Sequence, residues 1–348
     1  MNKDIPLVKF SIDKDVILGE EVLSTTPSWW VSVETFLCRR MPYMKRLNIK
    51  ELFDIKGISN NEEFINISNC ISFNDTLWIK DINSSLKWRD ISPYTNKLDY
   101  SISRFTLSGK GIVSDGLSCE YTTDGSYAKG WFNEGDIIFL YKESNMYESC
   151  SEYLSQQIAK NICTKYIKYF LKDESICSCR LFTNEDIGFV PLAHVIDVTT
   201  FSDVLSYFKS LSLEEEFKEI MVLDYIILNV DRHTRNLGFL IDNRTFEITG
   251  VAPCFDNNKS LLYNKENLYK YKHSSDLDTK PYLCDDFDSI LKECLTESIY
   301  NKVKSLKGFK FRNTEDNILP EDRLSCLNTI VNSRINRVLE LGCQWLVG

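Results

Sequence analysis

The chain has 348 residues, 43% hydrophobic and 26% charged, the balance of an ordinary soluble globular protein with core enough for one large domain or two modest ones. A net charge of -9 and a sequence pI near 5.1 argue against a broad nucleic-acid surface and leave room only for a local basic groove. No apolar run reaches the length of a membrane span, and the opening MNKDIPLVKF has no signal-peptide core, so a cytoplasmic protein is expected.

In chain order, PLVKFSI within residues 1 to 23 reads as a strand. Residues 29 to 57 read as helical, with Phe36, Met44, Leu47, Ile49, Leu52 and Phe53 among the basic Arg39, Arg40, Lys45 and Arg46; a solvated basic face is expected in preference to a nucleic-acid surface. Between 60 and 100, Trp78 and Trp88 with Leu77, Ile79 and Leu86 are expected to form a small core of their own.

The stretch CEYTTDGSYAKGWFNEGDIIFLYK, residues 119 to 142, has two β-prone runs around a loop holding Asp124, Gly125, Ser126, Lys129 and Gly130. Small residues there let backbone N–H groups approach a phosphate closely, although the loop is neither a Walker A nor a G-x-G-x-x-G motif, and a plain hairpin turn fits the same residues. Lys142 closes the strand on the face of Leu140 and Ile138, which turns its stem inward. The next helix, SEYLSQQIAKNICTKY, carries Leu154, Ile158 and Ile162 at four-residue steps, with a Ser at the N-cap and Glu152 in the first turn; Glu148 competes for the same role.

SICSCRLFTNEDIGFVPL reads as a strand, a break and a second apolar run. A helix with Phe217, Ile220, Met221, Tyr225 and Leu228 then stops at Asp231. LGFLI and TFEITG, separated by Asp242-Asn243-Arg244, read as a hairpin that returns the chain to Asp256. Residues 263 to 282 are polar and tyrosine-rich, as in a surface excursion. Residues 321 to 346 place Leu324, Leu327, Val331, Ile335, Val338 and Leu341 on one helical stripe.

Twelve cysteines are scattered without a C-x-x-C pair, so zinc-ligand spacing is missing and reduced, mostly buried thiols are expected, Cys177 and Cys179 among them as packing residues. The remaining chemistry lies in two carboxylates bracketing an amide: Asp231, Asn236 and Asp256. Magnesium takes hard oxygen ligands and keeps some waters, so Asn236 and Asp256 make a reasonable protein share beside nucleotide phosphates, leaving Asp231 free as a base.

The stretch LNVDRHTRNLGF followed by APCFDNNKSLL resembles the catalytic core of the HipA-like Ser/Thr protein kinases, and NDTLWIK resembles the leading region of HipA-like proteins from Firmicutes. The resemblance covers residues 119 to 262 well and the helical remainder loosely. It implies an α+β, two-lobed protein-kinase-like (HipA-like) fold with a small β-rich N-lobe, a mainly helical C-lobe and an additional N-terminal region. The corresponding divisions are 1–105, 106–183 and 184–348.

The implied activity is ATP- and Mg2+-dependent transfer to Ser or Thr hydroxyls of a protein, and on the chain itself at Thr122, Thr123 or Ser126. In that frame Asp231 is the catalytic base, Asn236 and Asp256 are metal ligands, and Lys142 contacts phosphate with Glu152 as its partner. Thr123, Gly125, Ser126 and Lys129 belong to the phosphate loop, and Leu181, Phe182 and Thr183 meet the adenine. An antitoxin-like protein partner is implied by better-known members. The chain departs from the family in lacking a Gly after Asp256, where Asn257 and Asn258 stand, and in placing Arg232 and His233 after Asp231 with no Arg before it. Two other classes fit the same residues: a small-molecule phosphotransferase of aminoglycoside-kinase type, disfavoured by Asn229 where a His is usual, and a nucleotide-binding pseudokinase or interaction module.

Overall fold

The structure is a computed structural model that describes residues 1–197, 200–271, 279–314 and 316–346. The chain opens with a hairpin of β1 (Val8–Asp13) and β2 (Val16–Val22), antiparallel, with a register shift between Ser11 and Ile12. Three helices follow, α1 (Val33–Arg40), α2 (Ile49–Lys56) and α3 (Asn61–Ser68), the first and third started by Ser32 and Asn60, whose side chains accept the free amides of Thr35 and Glu63. Next come α4 (Trp88–Ile91), α5 (Tyr100–Ser108), and the hairpin of β3 (Lys129–Glu134) and β4 (Ile137–Glu143). Then follow α6 (Met146–Ile162), β5 (Tyr169–Leu171), β6 (Ile176–Arg180), β7 (Ile187–Pro191), α7 (Leu192–Val195), α8 (Phe201–Ser210) and α9 (Glu214–Ile227). The chain continues through β8 (Gly238–Asp242), β9 (Ile248–Val251), α10 (Phe287–Cys294), α11 (Glu297–Lys304) and α12 (Glu321–Leu346).

These elements form two compact units. The first comprises Met1–Glu143, Ser178–Val190 and Phe239–Thr249; the second comprises Ser144–Cys177, Pro191–Gly238 and Gly250–Gly348. In the first unit β4 lies between β3 and β6, and β8 lies between β7 and β9. Its helical core gathers Val33, Leu37, Ile49, Leu52, Phe53, Phe64, Ile102 and Tyr121, with Val8, Phe10 and Ile12 of β1 laid against it on alternate positions. Gly130 of β3 runs so close to α5 that a Cβ there would collide with the carbonyl oxygen of Ser103.

The second unit is organised on α9, whose residues from Phe217 to Ile227, Lys218 apart, are buried. A helix buried round its whole circumference must be covered on every side. Here α6, α8, α10 and α12 pack against it, and the stripe Leu324, Leu327, Val331, Ile335, Val338 and Leu341 of α12 is buried as the periodicity predicts. Among the described residues no helix is long and apolar enough to cross a membrane.

Several local expectations are corrected. Residues 29 to 57 form two separate helices, and of their basic residues Arg40 and Arg46 are not solvated at all: each is buried in an ion pair, with Asp75 and Glu120. The tryptophan pair is not a separate core, because Trp78 and Trp88 share a cluster with Cys119 and with Ile138 of β4, while Leu77 packs with Leu7 and Phe246. The run CEYT is a tight turn, Glu120–Thr122, not a strand, since the hydroxyls of Thr122 and Thr123 both bond back to the Cys119 carbonyl. Helix α6 starts earlier than expected, at a reciprocal capping box between Asn145 and Glu148, so Glu152 lies a turn beyond the first. Of the excursion 263 to 282, residues 272 to 278 lie outside the described residues.

Candidate active site

In the second unit α9 ends because Leu228 turns left-handed, at φ 56°, and the amide of Asn229 returns to the Asp224 carbonyl at 3.0 Å. Asp231 therefore sits in the loop beyond the helix. The Asn229 side chain spans this break: its Nδ2 donates to Asp224 Oδ1 at 3.0 Å and its Oδ1 accepts the Asp231 amide at 3.1 Å. Two successive turns follow, His233 N–H to Asp231 O at 2.8 Å and Asn236 N–H to His233 O at 2.9 Å. They bring the Asn236 side chain back under Asp231, where its Nδ2 donates to the Asp231 carbonyl at 3.3 Å. With the nitrogen so used, Oδ1 is the atom of the amide suited to a cation.

Asp256 is delivered by the chain after β9. It is itself a left-handed residue, at φ 55°, and neither Asn257 nor Asn258 after it takes a positive φ. Its amide donates to the Tyr169 hydroxyl at 3.0 Å, and the amide of Asn257 donates to Glu152 Oε2 at 2.7 Å. Glu152 thus holds the backbone next to Asp256.

The residue that ties these pieces together is Arg232. Its guanidinium takes Asp224 in a two-pronged pair and also donates to the carbonyls of Asn236 (3.2 Å) and Phe255 (2.5 Å) and to Asn257 Oδ1. One side chain therefore bonds α9, the residue bearing the amide, and both neighbours of Asp256. Burial opposes its charge, but Asp224, Cys254 and Asp256 outweigh that and hold the guanidinium above its usual range.

The Asp231 carboxyl is pushed above its ordinary value, first by burial; His233 acts against this and the charge of Asp256 adds to it. The two carboxylates are thus close enough to feel each other. Lys259 also draws the Asp231 value down, and its ammonium is paired with Glu148 at 2.5 Å. The Lys259 carbonyl accepts the Val230 amide at 3.2 Å, one residue before Asp231.

The loop candidates lie in the first unit. Gly125 sits at φ 103°, a conformation open to glycine, and a Cβ there would collide with the Lys129 ammonium. That ammonium donates to the Asp124 carbonyl at 2.7 Å and closes the turn. Ser126 is exposed, whereas Thr123 donates its hydroxyl to Cys119 O at 2.8 Å. Lys142 is buried with its ammonium 4.9 Å from the centre of the Tyr127 ring. Of the hinge-like residues, Leu181 donates its amide to Ile138 O at 2.9 Å, Phe182 meets Phe189 edge-on, and Thr183 donates its hydroxyl to Phe73 O.

Asp231, Asn236 and Asp256 thus share one network within the second unit, with Glu152 at its edge. Thr123, Gly125, Ser126, Lys129, Lys142, Leu181, Phe182 and Thr183 belong to the first. Arg232, Asp224 and Lys259 escaped the sequence reading as members of the site; Arg232 adjoins Asp231 and Lys259 lies three positions after Asp256, while Asp224, seven positions before Asp231, carried no such signal. Among the described residues no cluster of three or more His, Cys, Asp or Glu gathers as a metal site.

No protein-family model matches the chain, and no curated protein matches it. Among solved structures, the Helicobacter pylori proinflammatory kinase CtkA aligns with a TM-score of 0.48 and 18% identity, over 62% of this chain and 94% of that one. HipA of Shewanella oneidensis MR-1, solved with HipB and operator DNA of its toxin–antitoxin system, aligns with a TM-score of 0.54 and 13% identity, over 88% of this chain and 85% of that one. At that identity the likeness to HipA establishes the fold: a mixed α/β, HipA-like kinase fold with a small β-sheet part and a helical part.

Proposed function

We propose that the chain is an ATP- and Mg2+-dependent phosphotransferase acting on Ser or Thr hydroxyls of a protein. The observation that carries this reading is the Arg232 network, which binds into one rigid group the segments bearing Asp231, Asn236 and Asp256. The donor set fits the metal: one amide oxygen and one carboxylate are hard ligands that leave positions for phosphate and water. Asn236 Oδ1 and the Asp256 carboxylate would hold Mg2+, whose charge would offset that of the nucleotide phosphates.

Asp231 orients the acceptor hydroxyl and takes its proton as the hydroxyl oxygen bonds to the γ-phosphorus and ADP departs. Its raised proton affinity suits a base. Within the first unit, Lys142 and the 123–130 loop are the candidates for phosphate, and the backbone near Leu181, Phe182 and Thr183 is the candidate for adenine. Rate enhancement then comes from positioning and charge neutralisation without a covalent enzyme intermediate. The HipA structure was solved with HipB, which supports an antitoxin-like protein partner for this chain, to be sought by co-purification.

The test is transfer from γ-labelled ATP with Mg2+ to a protein mixture and, separately, to small alcohols and aminoglycosides. Protein labelling by the parent, lost in a folded Asp231→Ala variant, is the expected result. Labelling of small alcohols alone would replace the protein substrate by a small-molecule one, and nucleotide binding without transfer would make the chain a pseudokinase. Equal transfer by Asp231→Ala would end the reading.

A further inference from the structure

Four residues of the first unit close a ring of hydrogen bonds at the feet of the 124–130 loop. Arg46, in the link between α1 and α2, donates from Nη1 to the Thr123 carbonyl at 2.5 Å and from Nη2 to Glu120 Oε2 at 3.3 Å. Glu120 Oε1 accepts the Trp131 amide at 2.6 Å, and Trp131 Nε1 donates to Thr123 Oγ1 at 2.9 Å. Thr123 is the last residue before the loop and Trp131 the first after it, so the ring fixes the span that the loop must bridge. Both charged side chains are 0% exposed.

A buried ion pair is a poor device for stability, because desolvation cancels most of its attraction; its use is to select one arrangement of the groups it joins. Here those groups are the two ends of a glycine-containing turn whose geometry depends on Lys129 bonding Asp124 O. Loop closure from fixed ends limits the conformations open to the intervening backbone. The arginine that does this lies 77 positions upstream of Thr123, at the foot of the loop it holds.

We propose that Arg46 is a positioning residue for the nucleotide: by clamping Thr123 and Glu120 it presets the 124–130 loop for phosphate, which makes the N-terminal region part of the nucleotide site. The proposal rests on the phosphotransferase reading. A lysine at this position keeps the charge but cannot fork to Thr123 and Glu120 together. Thr123→Val and Trp131→Phe each remove the Trp131 Nε1–Thr123 Oγ1 bond of the ring, from opposite ends, and Thr123→Val also removes the bond to Cys119 O.

The experiment measures binding of a fluorescent ATP analogue with Mg2+, thermal melting, and the split of transfer kinetics between kcat and KM for ATP. Arg46→Lys, Thr123→Val and Trp131→Phe, all folded, should each weaken nucleotide about three- to tenfold, the value of one hydrogen bond, mainly through KM. Arg40→Met, which breaks the other buried arginine pair of this unit, is the control: it should lower melting and leave nucleotide affinity at the parent's value. If Arg46→Lys does not fold, Thr123→Val and Trp131→Phe decide. Parent-like affinity in the folded ring variants overturns the proposal, as does equal weakening in Arg40→Met. A parent that binds no nucleotide overturns the phosphotransferase reading itself.

Discussion

Arg232 grips Asp224 with two nitrogens on one edge of its guanidinium, Nε to Oδ2 at 2.9 Å and Nη2 to Oδ1 at 3.0 Å, where neither side chain is more than 2% exposed. Its remaining donors reach the carbonyls of Asn236 and Phe255, so the pair anchors the candidate catalytic and metal-binding segments to the central helix. Arg232→Met leaves Asp224 buried without a counter-charge and should cost about 3–5 kcal/mol in urea unfolding. Arg232→Lys keeps the charge but not the fork. It should fold, with reduced stability, and lose most phosphate transfer; parent-like transfer would show that the network is not needed to align the site.

The closeness of Asp231 and Asp256 is checked without activity. Burial raises the Asp231 carboxyl, Asp256 adds to the rise, and Lys259 opposes it. In 13C titrations free of nucleotide and metal, Asp256→Asn should lower the Asp231 value and Lys259→Met should raise it. The sign for stability follows from a folded value above the unfolded one: Asp231's contribution is full below the ordinary 3.8 and is lost as pH rises through the raised value. An Asp231 titration indifferent to Asp256→Asn would separate the two carboxylates.

What the sequence disclosed and what it hid follow from physics that is local or not. The α12 stripe and the apolar α9 were legible because helix periodicity needs only neighbours along the chain. The true start of α6 was also written locally, in Asn145 and Glu148, which spell a capping box, but the Ser at a plausible cap drew the eye further on. Arg46 and Arg232 were illegible, since nothing in a run of residues says that a guanidinium is buried with its acceptors 74 and 8 positions away. For the same reason the bond of Glu152 to the Asn257 amide, 105 positions on, could not be foreseen.

Self-modification, if the chain performs it, is restricted by the same loop geometry. Thr122 is buried with its hydroxyl donated to Ile71 O, and the Thr123 hydroxyl donates to Cys119 O while receiving Trp131 Nε1. Ser126 alone of the three is exposed. Incubation with Mg-ATP followed by peptide mapping should place phosphate on Ser126, and Ser126→Ala should abolish the mass gain. Phosphate found on Thr122 would require the turn at 120–122 to open, contrary to this geometry.

The Arg46 clamp has a signature in acid. Burial, the largest influence, raises the Glu120 carboxyl above its ordinary 4.5, while Arg46 and the Trp131 amide pull it down without cancelling the rise. A raised folded value means that the stabilising contribution is full below 4.5 and is lost as pH climbs through the raised value. Urea midpoints of the parent should therefore fall across that window. Glu120→Gln has no proton to lose there and keeps at every pH the neutral side chain that the raised value favours. Its midpoints should lack the step and should not fall below the parent's at neutral pH; a Glu120→Gln profile that keeps the parent's step would assign the acid dependence to another group.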